Sequence, residues 1–572
     1  MIRNNIKIKC TSLLLTLTFL GCSVEPTYFS QIDPDRFFQS QDQVYQRFYR
    51  PFTHWAWALS GNDDTAGGPR SPLYFLQEFT SDELCLPARG KDWWDDGEFV
   101  RPYFHEFTPY LTGLNNAWGA FSMGVAQAWS AMEDIERHVD FDALGFPTGT
   151  RDALSMQLQT LVASYYLIAL DHFGGVPLYA SNKEDAKPRA TDKETFEFIE
   201  ALLLQAIPNL PRKTELGALE NGSIHQATGA MLLARLYLNA AAYTGEERYD
   251  DCATICRDLI EGKYGSYALA DDWTDIFGFT NETCPEILWS IPSENARREI
   301  KGGCYHYSTH YNTRIFLGNP ELKSYNGFCL TPSLDKDGNT YRDRMNLGCP
   351  FSKFEDTDLR KQLYVYEGAG SYRGMFLMGK LVNPITGEAC LADGSREYLA
   401  GDTMYMVDQI AYLSKQGTER KEGVEFAEEN SGIRLFKFSP VPTAADKNLW
   451  HNPDVPVIRL AEAYYTLAEC KFRAGDNAEA ARLINTVRSR YFTDSDPNPV
   501  TADNLDEWRL LDEWLIEFLG EGRRRTDLVR WGKFTTESWF DHTPKNKPSF
   551  NRFPIPHEAI SANNLIQQNP GY

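Results

Sequence analysis

Residues Ile458–Arg490 read IRLAEAYYTLAECKFRAGDNAEAARLINTVRSR. Leu460, Tyr464, Leu467 and Lys471 recur at helical spacing, with Ala461, Ala463 and Ala468 between them. Leu483, Ile484 and Val487 mark a second helix. Gly475-Asp476 separates the two. Glycine suits the left-handed position just past a helix end. Asp476 suits the next N-cap, and Glu479, three residues on, would complete a capping box. The stretch therefore predicts an antiparallel helix pair with small residues at the contact. One pair cannot bury both its faces, so it needs neighbours.

The chain supplies them. Gln226–Tyr243 is rich in Ala and Leu, stops at Gly245, and is followed by a helical pattern through Tyr249, Cys252, Cys256, Leu259 and Ile260. Leu158–Phe173 and Thr195–Leu210 form a third pair, and Ala117–His138 adds a helix upstream. Because the turn chemistry repeats along with the apolar period, these read as stacked tetratricopeptide-like pairs. The expected class is mostly α.

Composition narrows the function. The 572 residues carry 57 Lys+Arg against 79 Asp+Glu, a formal charge of −22. A surface this acidic repels phosphate backbones, so nucleic acid is not an expected partner. Aromatic residues make up 13% of the chain, enough to fill a core and to spare rings for a carbohydrate site. Of the 11 cysteines, Cys10 and Cys22 fall in the N-terminal segment, and the remainder show neither a disulfide framework nor zinc spacing. Cys252 and Cys256, four apart on a helix, read as small core residues rather than metal ligands.

Residues 1–21 read as a signal peptide. Arg3, Lys7 and Lys9 precede a short apolar core, Leu13–Leu20, too short to span a bilayer as a mature helix. Gly21-Cys22 follows at once, as at a bacterial lipoprotein cleavage site, although Phe19 and Leu20 depart from its commonest form. Cys22 is the expected lipidation site, and no later segment reads as long and apolar enough to span. Ser23–Tyr49 reads as a tether running into a first helix.

Pro51–Val100 reads as loops, with Trp55, Trp57, Gly61-Asn62-Asp63-Asp64, Asp82, and Lys91-Asp92-Trp93-Trp94-Asp95-Asp96-Gly97. Adjacent Trp flanked by acids suit a sugar, the ring face meeting its C–H side and the carboxylates its hydroxyls. Residues 262–450 form a long section poor in helical period. Within it Ile287–Ile291 reads as a strand. Asp335-Lys336-Asp337-Gly338-Asn339 starts like a calcium loop but lacks the later Glu, so it reads as a turn. Cys304–Tyr311 (CYHYSTHY) gathers aromatics with His306 and His310, as a ligand-facing or packed loop more than a metal site. No nucleophile elbow, H-E-x-x-H, Walker loop or dinucleotide fingerprint occurs. Near the end, Glu521 through Arg530-Trp531-Gly532 sets three arginines beside Glu521 and Asp527, as internal ion pairs.

Together these residues resemble the SusD/RagB family of surface nutrient-binding lipoproteins. The matching pieces are Cys22, Ser81-Asp82-Glu83, the Asn115–Ile135 helix, and Asp171-His172-Phe173-Gly174-Gly175-Val176-Pro177-Leu178. They continue with Arg189-Ala190-Thr191, Arg459–Gly475, Glu521-Gly522-Arg523-Arg524 through Gly532, and the ending from Phe553-Pro554-Ile555-Pro556 to Asn569-Pro570-Gly571-Tyr572. The resemblance implies about four tetratricopeptide-like pairs as a scaffold beside a large irregular region with short strands. It implies one body over 22–572: an N-terminal helical part at 22–261, an irregular insert at 262–450 and a C-terminal helical part at 451–572. It implies a binder without enzymatic activity, cofactor or metal, anchored to the outer membrane through Cys22. Such a protein would pass a glycan, or in some members a peptide, to a SusC-like TonB-dependent transporter. A glycoside hydrolase and a protein-only scaffold are the rival classes. The expected ligand residues are Trp93, Trp94, Asp92, Asp63 and Asp82, with Tyr305, Tyr307 and Arg373 from the insert.

Overall fold

A computed structural model describes residues 37–60, 72–90, 92–219, 222–294, 305–393, 401–413, 420–440, 443–449 and 452–572. Its longer helices are α1 (Gln41–Ser60), α2 (Thr112–His138), α3 (Thr150–Phe173), α4 (Asp192–Ala206), α5 (Gln226–Leu238), α6 (Tyr249–Ile260), α7 (Leu460–Arg473), α8 (Asn477–Arg488), α9 (Glu507–Phe518) and α10 (Arg524–Arg530). Each of α1 to α8 packs on the next, so eight helices make four stacked pairs. The α6–α7 contact closes the stack across the long segment that separates those helices in sequence.

The opening pair forms for the reasons its sequence suggests. Gly475 has φ +81°, and its N–H bonds Phe472 O while the Asp476 N–H reaches Lys471 O, the two bonds of a Schellman end. The Asp476 carboxylate caps Glu479 N at 3.3 Å. The reciprocal half of the expected capping box is absent, because Glu479 instead holds Arg482 through two bonds of 2.7 Å. A full box stands at the start of α4, between Thr191 and Glu194. Cys252 and Cys256 are buried between helices, as core residues.

Two expectations need correction. Residues 51–60 are not loop: α1 runs through Pro51 to Ser60. A proline inside a helix costs about 3 kcal/mol, but Phe48, Phe52, Trp55 and Ala56 bury one face against the stack. Trp55 stacks on Trp289 at 4.9 Å. The second correction concerns α3, which has the length and apolarity of a membrane span. Its most apolar window is 83% buried inside the protein, so it is the core helix of the stack.

Outside the stack, β1 (Leu84–Cys85) pairs antiparallel with β3 (Cys329–Leu330), and β2 (Ile287–Ile291) with β4 (Val455–Arg459). The expected strand at 287–291 is fully buried, and its partner β4 runs directly into α7. Buried charge braces this junction. Glu517 on α9 meets Arg459 at 2.6 Å, Arg490 at 3.0 Å and Arg360 at 3.0 Å. Burial alone would raise the Glu517 carboxyl; the three guanidiniums reverse that and hold it well below the carboxylate range. The arginines of α10 and the residue before it are internal, as expected: Arg523 pairs with Asp527, Arg525 with Asp171, and Arg530 with Glu469. The C-terminal segment is clamped by Asn569, whose side-chain amide donates to Phe173 O and Phe553 O.

Candidate functional site

The aromatic loop after β1 is built on turn chemistry. Arg89 and Asp92 exchange two backbone bonds, and Trp93, Asp95 and Asp96 all take positive φ (62°, 37° and 54°) before Gly97 at +80°. Three side-chain-bearing residues in the left-handed region store strain that their surroundings must hold. Trp93 supplies the hold. Its indole N–H donates to Tyr325 O at 2.8 Å, and its ring meets Phe99 edge-on at 5.7 Å and Tyr307 at 5.9 Å. Tyr307 in turn stacks on Tyr325 at 5.2 Å.

Trp94 has no such role: its side is 43% exposed. Beside it the Asp92 carboxylate is exposed and accepts the Tyr311 hydroxyl. Burial, then that bond, pushes the Tyr311 hydroxyl above its usual range, so it stays a donor. The structure thus brings together Asp92, Trp93, Trp94 and Tyr307, and adds Tyr325, 38% exposed, and Tyr311. Rigid ring faces next to a carboxylate and hydroxyls can take the two sides of a sugar ring.

The floor of this group is polar and buried. Arg89 donates to Gly327 O, Glu428 O and Ser431 O, and Arg434 to Gly327 O, Phe328 O and Asn326 Oδ1. Gly327 is required by close approach: a Cβ there would meet Tyr307 O at 2.7 Å and the Trp93 ring at 3.1 Å. Arg89 also donates to Cys329 Sγ at 3.4 Å, and Cys85 Sγ lies 3.9 Å from that sulfur. Burial opposes ionisation of Cys329, but the Cys85 thiol and the two guanidiniums outweigh it and draw the thiol down to about 6.

Other candidates lie elsewhere. Asp82 is a correction: it is 0% exposed, and Arg524 grips it at 2.6 and 3.0 Å while Gly348 N donates to it at 2.7 Å. Its carboxylate is a core ion and leaves the ligand set. Arg373 sits on a separate hairpin, Val365–Gly368 with Ser371–Arg373, where it bonds Glu367 at 3.0 Å. Tyr305 begins a short helix, Tyr305–Ser308. Asp63, Lys91 and Cys22 lie outside the described residues.

No described group of three His, Cys, Asp or Glu is placed to hold a metal. His310 is buried and paired with Glu429 at 2.9 Å, its other nitrogen accepting from Asn312 N. The turn at Asp335 uses its carboxylate internally, for Asn339 N, Asp337 N and Arg344. Those donors, the Asn339 amide foremost, hold Asp335 down to about 2. Tyr325 lies outside the expected ligand residues; the only sequence hint of it is the Asn326-Gly327 pair beside it.

A model described as the SusD family matches residues 285–572. The starch-binding protein SusD of Bacteroides thetaiotaomicron is 26% identical over 551 residues, covering 90% of this chain and 88% of that protein. Surface glycan-binding protein A from Bacteroides uniformis superposes with a TM-score of 0.63 at 17% identity, over 93% of this chain and 99% of that one. The Bacteroides thetaiotaomicron surface glycan-binding protein A, solved in complex with laminarihexaose, gives 0.61 at 16% identity, over 93% of this chain and 99% of that one. By the match to the family model over half its length, this chain belongs to the SusD family.

Proposed function

We propose that this protein captures oligosaccharide or polysaccharide at the cell surface and delivers it to a SusC-like TonB-dependent transporter, doing no chemistry on it. The observation that carries the reading is the exposed Trp94 ring beside the Asp92 carboxylate, on a loop fixed by Trp93 and Tyr325. A relative named as starch-binding, and a structural neighbour solved in complex with laminarihexaose, support a glycan as the ligand. Hydroxyl hydrogen bonds return little net energy against water, so the surplus must come from stacking on rigid rings. A binder that must also release its cargo suits a micromolar Kd, about −8 kcal/mol.

The segment 1–21 directs export and Cys22 carries the lipid; each buried CH₂ of its acyl chains contributes about 0.8 kcal/mol to anchoring in the outer membrane. The body then runs over 22–572, with parts at 22–261, 262–450 and 451–572. Purified protein tested against a glycan panel should bind at least one member and release no cleavage product. Cleavage would make it a hydrolase, and binding to peptides alone would change the ligand class. Palmitate labelling should be lost in Cys22→Ala; equal labelling would remove the anchor.

A further inference from the structure

The first helices of the four pairs, α1, α3, α5 and α7, do not fill the space they face. Between them, the β2–β4 ladder and residues 518–526 lies a cavity of about 160 Å³. It shares no residue with the aromatic loop site. Trp55, Leu167, Leu232, Trp289 and Phe438 make much of its wall apolar. An apolar cavity of about 150 Å³ is enough to hold one benzene.

Three properties of the wall select a guest. Its charged side chains are already matched: Arg235 holds Glu462 through two bonds of 2.7 Å, Arg459 holds Glu521, and Asp171 holds Arg525. A charged guest would enter without a counter-ion, at high desolvation cost. A sugar would bring several hydroxyls to polar groups that are already bonded. The second property is shape: the stacked Trp55 and Trp289 rings are a rigid aromatic surface, which favours a flat ring. The third is a donor. Trp55 is 4% exposed and its indole N–H has no hydrogen-bond partner among the described residues, an exception among buried polar groups that calls for an acceptor.

We propose that this cavity is a second binding site, for a small neutral aromatic molecule with one hydrogen-bond acceptor, a phenol in the simplest case, whose oxygen accepts the Trp55 Nε1–H. The site is separate from the glycan surface and does not depend on that reading.

The full chain titrated with 4-fluorophenol, followed by ligand-observed ¹⁹F NMR, should show saturable binding. Trp55→Phe keeps a ring but removes the N–H. It should weaken 4-fluorophenol about three- to tenfold, the worth of one neutral hydrogen bond, and leave fluorobenzene unchanged. Leu167→Trp fills the space and should abolish both, with circular dichroism and glycan affinity as in the parent; Ile168→Phe serves if that variant does not fold. No saturable binding to the parent, binding unchanged in the filled variant, or displacement of 4-fluorophenol by glucose would overturn the proposal.

Discussion

The helical stack and the aromatic loop region hold their residues in place by different means. In the stack, most junctions join successive elements of the chain: Gly475 ends α7, Asp476 starts α8, and each helix lies on the one before, with α6 alone reaching α7 across the long segment between them. In the loop region, the contacts that matter span the chain. Trp93 is fixed by Tyr325, 232 residues away, and Arg89 by Gly327, 238 away. Local pattern therefore specifies the scaffold, while the loop surface exists only once the scaffold has brought distant segments together. Side chains that look alike in sequence divide accordingly, Asp82 to brace the scaffold and Asp92 to meet solvent.

The sharpest way to break this division is at those two acids. Asp82→Ala strands the buried Arg524 guanidinium and should cost about 3–5 kcal/mol in denaturant unfolding. Asp92→Ala, at an exposed position, should stay within about 0.5 kcal/mol. Equal effects would erase the distinction. Next in size, Leu467→Ala on α7, where Leu467 is 5% exposed, should cost about 2–5 kcal/mol. A change under about 0.5 kcal/mol would put that face in solvent.

A smaller, pH-dependent effect comes from Glu78, which lies where the two regions join. Its carboxylate accepts Gly522 N at 2.6 Å, and burial raises it to about 7 despite bonds from Glu83, Gly522 and Arg523. The unfolded chain releases that proton near the ordinary Glu value of about 4.3. The folded state thus holds the extra proton between these values, and the stability it contributes is complete below about 4.3 and lost as pH rises toward 7. Glu78→Gln lacks this term. The stability of the parent relative to the variant should fall between pH 5 and pH 7.5 in urea melts; a constant gap would contradict the assignment.

These contrasts also explain what the sequence made legible. Periodicity, Ala content and Gly-Asp punctuation were enough for the stacked pairs, because those are local properties. They missed the helix through Pro51, where burial of Phe52 and Trp55 outweighs a local breaker. They also placed the buried stripe of α7 imperfectly: Tyr464 is half-buried while Tyr465 is 0% exposed, and Glu462 and Glu469 are buried because Arg235 and Arg530 reach them. The Trp93-Trp94 pair was conspicuous as a loop of bulky rings, yet which ring is pinned depends on the Tyr325 carbonyl, which no local rule identifies. Asp82 looked like Asp92 for the same reason.

The smallest expected effect on stability accompanies the largest on binding. Trp94→Ala should leave unfolding within about 0.5 kcal/mol of the parent, since the exposed ring supports little. Calorimetry of that variant with the bound glycan is therefore the most direct test of the central claim, that the ligand stacks on the exposed ring of the aromatic loop. Kd should rise at least about tenfold, 1.4 kcal/mol, in a protein with the parent's circular dichroism and unfolding midpoint. A folded Trp94→Ala that binds the glycan within about twofold of the parent, well under 1 kcal/mol, would place the site elsewhere and contradict it.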